Sequence, residues 1–156
     1  MNNLPSSALG SGVLARLNVE RDTLRDFVVL LEQEQKVLLG TDTEPLLALA
    51  ELKTSTADKL AALEKERYDE LAGTGSTGEW LKKNAPQSIG LWEEIVDLAK
   101  QAQSLNRSNG DLIQIKMRYN QQALVVLIGA TQYAAGLYGP DGQTNLPNTG
   151  RNLGSV

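Results

Sequence analysis

In the second half of this chain apolar residues recur every three or four positions. From Ile95 the series Leu98, Ala102, Leu105, Asn109, Ile113, Met117, Asn120, Leu124 and Leu127 never breaks that step. A period near 3.6 keeps such residues on one stripe of an α-helix, whereas a strand requires alternation. The spacing predicts a single helix from about Gln87 or Ser88 to about Ala130 or Ala134. At ~1.5 Å per residue it would be a rod of roughly 65 Å. Gly110, beside Asn109, is the candidate bend, because glycine costs about 1 kcal/mol relative to alanine in a helix interior. A break there would give a four-helix bundle; continuity is the favoured expectation.

The first half repeats the pattern. Leu14, Leu17, Leu24, Val28, Leu31 and Leu38 predict a helix starting near Ser7 or Ser11 and running to about Leu39, with Arg21 and Gln35 as polar interruptions in the seam. Val13, Phe27, Leu30 and Val37 widen the stripe enough to meet two partner helices. Gly40 is expected to end the helix in the left-handed cap conformation. The turn that follows is short, so the next helix folds back antiparallel, capped by Thr41 with Glu44 or by Thr43 with Pro45 in its first turn. That second helix carries Leu46, Leu49, Leu52, Thr56, Leu60, Leu63 and Leu71. The charges interleaved with them, Arg67 included, read as a solvated face of weak pairs.

Gly73, Gly75 and Gly78, spaced by Thr and Ser, mark a flexible link. It lacks the Lys-Ser or Lys-Thr pair that a phosphate loop needs. A single helical turn at residues 79–83 would tuck Trp80 against the bundle end, where Trp92 also packs. The predicted fold is all-α: an elongated antiparallel bundle of three long helices, a helical hairpin plus one longer helix, over residues 1–136. Residues 137–156, rich in glycine and proline, are expected to form a flexible tail. Asn106, Asn109 and Asn120 lie on or beside the apolar stripe, where single asparagines fix helix register. For Asn120 a binding role weighs about equally.

Composition removes most chemistry. The chain has no Cys and no His. Disulfides, Ser-His and Cys-His nucleophile arrangements and the usual zinc sets are therefore excluded, as are the Glu-x-x-His pairs of di-metal bundles. No cofactor is implied, and catalysis is not expected. A net charge of -4 with scattered cations argues against a nucleic-acid partner. The first residues lack the basic start and apolar core of a signal peptide, and no apolar run approaches the ~20 residues that span a bilayer. A soluble intracellular protein is expected, without membrane insertion. The unusually apolar run from Ala123 to Ile128 exceeds what a slender bundle needs to bury, so the surplus is assigned to a partner.

Leu105, Asn106, Asn109, Gly110, Leu112 and Ile113, then Asn120, Gln121, Gln122, Ala123, Leu124 and Leu127, then Leu137, Tyr138, Gly139, Asp141, Gly142, Gln143 and Thr144 resemble the signature of the FlgN family of cytoplasmic flagellar export chaperones. The resemblance covers about the last third of the chain. It implies a chaperone that binds the C-terminal helical segments of the hook-filament junction proteins, prevents premature assembly and delivers them to the type III export gate. Asn120, Ala123, Leu124, Leu127, Ile128 and Leu137 would bind the client, and Tyr138, which matches the tyrosine of the family's Leu-Tyr-Gly motif, would contact the gate. The competing expectation is a structural coiled-coil protein that homodimerises through its apolar C-terminal helix. The chaperone is expected as a monomer or weak dimer.

Overall fold

Two glutamates decide how the first helices meet. The computed structural model describes residues 6–72 and 75–137, in which helix α1 (Ser6–Leu39) folds back onto helix α2 (Leu46–Glu70). Along α1 the residues Val13, Leu17, Leu24, Val28, Leu31 and Leu38 are buried, and so is Leu30, while Phe27 and Val37 are half-buried. That wide stripe meets two helices, as its width requires. The polar interruptions fall one position earlier than expected: Glu20 and Glu34 are buried, whereas Arg21 and Gln35 are only half-buried.

Each glutamate takes a cation from α2. Arg67 Nε and Nη2 donate to the two Glu20 carboxylate oxygens at 3.0 and 3.2 Å, and Lys53 Nζ donates to both oxygens of Glu34 at 3.0 and 3.2 Å. A short carboxylate can sit inside the seam because the long Arg and Lys stems reach it across apolar surface. Arg67 therefore leaves the solvated face to which its neighbours belong. Its Nη1 donates to Thr77 Oγ1 at 2.9 Å, and its guanidinium lies 4.8 Å from the centre of the Trp92 ring.

The turn differs in detail from its sequence signals. Gly40 donates to the Lys36 and Val37 carbonyls, and only Gly75 among the described residues has positive φ (93°), so Gly40 ends α1 without a left-handed cap. Neither Thr41 nor Thr43 caps α2 with its side chain. Asp42 Oδ1 accepts from the Glu44 amide at 3.0 Å, the Thr43 carbonyl accepts from Leu46, and Pro45 stands at the N-cap. An aspartate bonding its own backbone two residues on supplies the turn that a cap would have supplied.

Helix α3 (Thr77–Asn84) is twice the single turn expected, because Ser76 and Glu79 form a capping box that starts it earlier. Leu81 is fully buried, and Trp80 and Trp92 pack against the core formed with Val13, Leu17, Leu71, Ala85 and Ile95. After a 3-10 turn (Pro86–Ser88), helix α4 (Ile89–Leu137) begins, and it passes through Asn109 and Gly110 unbroken. Its first half runs parallel to α1: Arg25 pairs with Glu94, Val28 and Leu31 pack with Ala102, and Gln35 Nε2 donates to Ser108 Oγ at 3.2 Å.

Removing one partner of a buried pair strands the other, at a typical cost of 3–5 kcal/mol, whereas replacing both with apolar residues is close to neutral. Glu20→Ala is expected to lower stability by about 3 kcal/mol in urea denaturation, and Glu20→Leu combined with Arg67→Met to recover most of that loss.

Candidate functional site

The stripe of α4 is covered at first and then bare. Ile95, Ala102 and Asn109 are buried, and Leu98 and Leu105 are half-buried. Asn109 has no exposed surface; its Nδ2 donates to the Leu31 carbonyl at 2.9 Å and to Glu34 Oε2 at 2.8 Å. This is the register contact expected of an asparagine in a seam, and it joins α4 to the carboxylate already held by Lys53. Asn106 and Asn120 are exposed and make no such contact.

From Ile113 the same three- and four-residue steps carry exposed side chains. Leu124 is 57% exposed, Leu127 63% and Ile128 50%; Asn120 and Ala123 are exposed beside them. The sequence-selected residues 120, 123, 124, 127 and 128 therefore share one open face. Leu137 is the last helical residue, but its side chain lies outside the described residues, as does Tyr138 with the rest of the tail. Thr131 Oγ1 donates to the Leu127 carbonyl at 2.8 Å and leaves that face apolar.

The helix also carries exposed apolar residues beside that face. Ile115, Tyr119, Val126 and Tyr133 are all exposed and follow each other at steps of one or two helical turns. No helix among the described residues is long and apolar enough to cross a membrane. Among the described residues no group of three or more Asp and Glu side chains could hold a metal ion.

Known proteins decide the lineage of this arrangement. The family model described as FlgN protein matches residues 11–146, which takes in both the hairpin and the bare half of α4. The chain belongs to the FlgN family. Flagella synthesis protein FlgN of Salmonella typhimurium (strain LT2) is 30% identical over 129 residues, 81% of this chain and 86% of that protein, and the Salmonella typhi protein of the same name matches equally. No solved structure gives a significant match. Membership places the chain in flagellum biogenesis and gives the open apolar helix a context.

Residues this exposed contribute little to folding, whatever they bind. Leu124→Asp and Leu127→Asp are each expected to change unfolding free energy by less than about 1 kcal/mol, mostly through helix propensity, with the circular dichroism spectrum retained.

Proposed function

We propose that the protein is a cytoplasmic export chaperone whose clients are the hook-filament junction proteins. The observation that carries this is the run of exposed apolar side chains on an otherwise regular helix. A client C-terminal segment, disordered alone, would fold as an amphipathic helix along Asn120, Ala123, Leu124, Leu127, Ile128 and Leu137, burying its sticky face there. Each half-exposed Leu or Ile covered in this way contributes on the order of 1 kcal/mol, so three of them supply about 3 kcal/mol before flanking contacts. A specific interface of ordinary size removes about 800 Å² per partner, within reach of the exposed length of α4.

Such holding requires no catalytic group, no cofactor and no nucleotide. It keeps the client from assembling early because the surface that would polymerise is occupied. The helical domain, residues 1–136, would do the holding as a monomer or weak dimer. The tail, residues 137–156, would present Tyr138 to the export gate, so that binding and delivery use different residues. Family membership and the name of the Salmonella relatives support a role in flagellum assembly.

Leu127→Asp is expected to weaken binding of a client C-terminal segment by at least about 30-fold, the equivalent of roughly 2 kcal/mol, in a calorimetric titration. Unchanged affinity in a folded variant defeats the assignment. For Tyr138→Ala the expectation is unchanged client affinity with reduced secretion of the client into culture medium; normal secretion removes the gate role.

A further inference from the structure

Asn109-Gly110 is the single Asn-Gly pair of the chain. In an opened chain such a pair is chemically labile. The glycine amide nitrogen bonds to the asparagine Cγ and closes a five-membered succinimide; the bond from Cγ to Nδ2 breaks, and the amide proton passes to the departing nitrogen, which leaves as ammonia. Water then opens the ring at either carbonyl, giving aspartate or isoaspartate. Glycine makes the attack easiest, because no Cβ hinders the approach of its nitrogen.

The fold holds the reacting groups apart. Asn109 has no exposed surface, and its Nδ2, the leaving group, donates to the Leu31 carbonyl at 2.9 Å and to Glu34 Oε2 at 2.8 Å. Gly110 lies inside α4, where a helical amide is committed to the carbonyl four residues earlier. Ring closure requires the backbone at Asn109 to leave the helical conformation and its side chain to leave α1. Nothing in the packing calls for glycine at 110: its φ is not positive, and a Cβ there would meet nothing within 4 Å. Alanine would fit and would favour the helix.

The product does not fit where the asparagine sat. Asn109 Oδ1 is already buried without a donor among the described residues. Deamidation replaces Nδ2 with a second acceptor, set against the Leu31 carbonyl and the Glu34 carboxylate. Lys53 Nζ is shared by both Glu34 oxygens, so one cation would face two carboxylates. A buried charge with no donor of its own opposes closure. Isoaspartate adds a carbon to the backbone as well, which breaks the helical repeat.

We propose that Asn109 is a spontaneous deamidation site gated by the contact between α1 and the first half of α4. It is silent while the seam is closed and reactive once the seam opens, and its product then keeps the seam from closing. The reaction marks irreversibly any chain that has come apart at this point, with water as the co-reactant. None of the groups involved belongs to the proposed client stripe.

The test incubates the full-length protein in mildly alkaline buffer, with and without guanidinium chloride, and follows by mass spectrometry the amide-to-acid mass gain in the tryptic peptide 108–116. Conversion in buffer is expected to run at least about a hundredfold slower than in denaturant, because only the opened fraction reacts. Val28→Ala, which thins the packing of α1 on Ala102, is expected to speed conversion in buffer by the factor by which it raises the unfolding constant, on the order of tenfold. Gly110→Ala is expected to fold and to slow conversion in denaturant at least about tenfold. Asn109→Asp is expected to raise the unfolding constant at least about a hundredfold, the equivalent of about 2.8 kcal/mol, and Asn109→Ala about tenfold less than that. Equal conversion with and without denaturant, conversion in buffer indifferent to Val28→Ala, conversion in denaturant indifferent to Gly110→Ala, or equal destabilisation by Asn109→Asp and Asn109→Ala overturns the proposal.

Discussion

The helical part of this protein up to Ile113 depends on two carboxylates placed where leucines would otherwise go. Glu20 and Glu34 stand two heptads apart on α1, and their partners Arg67 and Lys53 stand two heptads apart on α2. Leucine seams tolerate sliding, since a shift by a heptad replaces one leucine with another. A pair of buried charges does not, because any slip leaves both glutamates unpaired at several kcal/mol each. Apolar burial drives the hairpin together, and the ion pairs select one register from those burial allows.

The same two carboxylate sites also place the remaining elements. Arg67, fixed by Glu20, receives Thr77 at the start of α3 and the face of Trp92 at the start of α4. Gly78 belongs to this contact, because a Cβ there would come within 3.3 Å of Trp92 Nε1. Glu34, fixed by Lys53, receives the buried Asn109 amide. The first half of α4 is thus held near both ends by groups that answer to the hairpin's register. Positioning by polar groups frees the leucines between them from the need for unique packing, which agrees with an α2 that has no fully buried residue.

Much of this was legible in the sequence, for reasons that differ by element. Long runs of three- and four-residue steps fix helices strongly, and α1, α2 and the unbroken α4 follow. The errors came where a charged residue occupied a stripe position. Arg67 lies four residues from both Leu63 and Leu71, so the spacing marked it as inward-facing; its charge and its place in an acidic-basic run hid that. Glu20 was hidden likewise beside Arg21. The early start of α3 was written in Ser76 and Glu79, but the glycines around them drew attention to flexibility instead. At the candidate site, the face through Leu124 and Leu127 could be found because it continues an existing stripe. The flank through Tyr119, Val126 and Tyr133 keeps the seven-residue step of Leu98, Leu105 and Leu112, but the successive four-residue steps from Asn109 to Ile113 and Met117 led the stripe away from it.

An exposed helix rich in β-branched residues is an expensive arrangement to maintain for its own sake. Val125, Val126, Ile128 and Thr131 each lower helix propensity by several tenths of a kcal/mol relative to alanine, and their side chains recover nothing by packing in the free protein. What offsets them is continuity, since nucleation is already complete in the packed half and only propagation remains. The bare half is therefore ordered without being buried. A partner that folds onto it bears its own ordering cost and not the helix's as well, which raises affinity for a given area of contact. The choice of β-branched and aromatic groups over long flexible ones acts in the same direction, because few rotamers remain to be lost when the surface is covered. A preordered apolar helix with adaptable partners is what a holding protein needs. On the proposed chaperone reading, a client would leave it without any change in its own fold, and release would require only a competing surface.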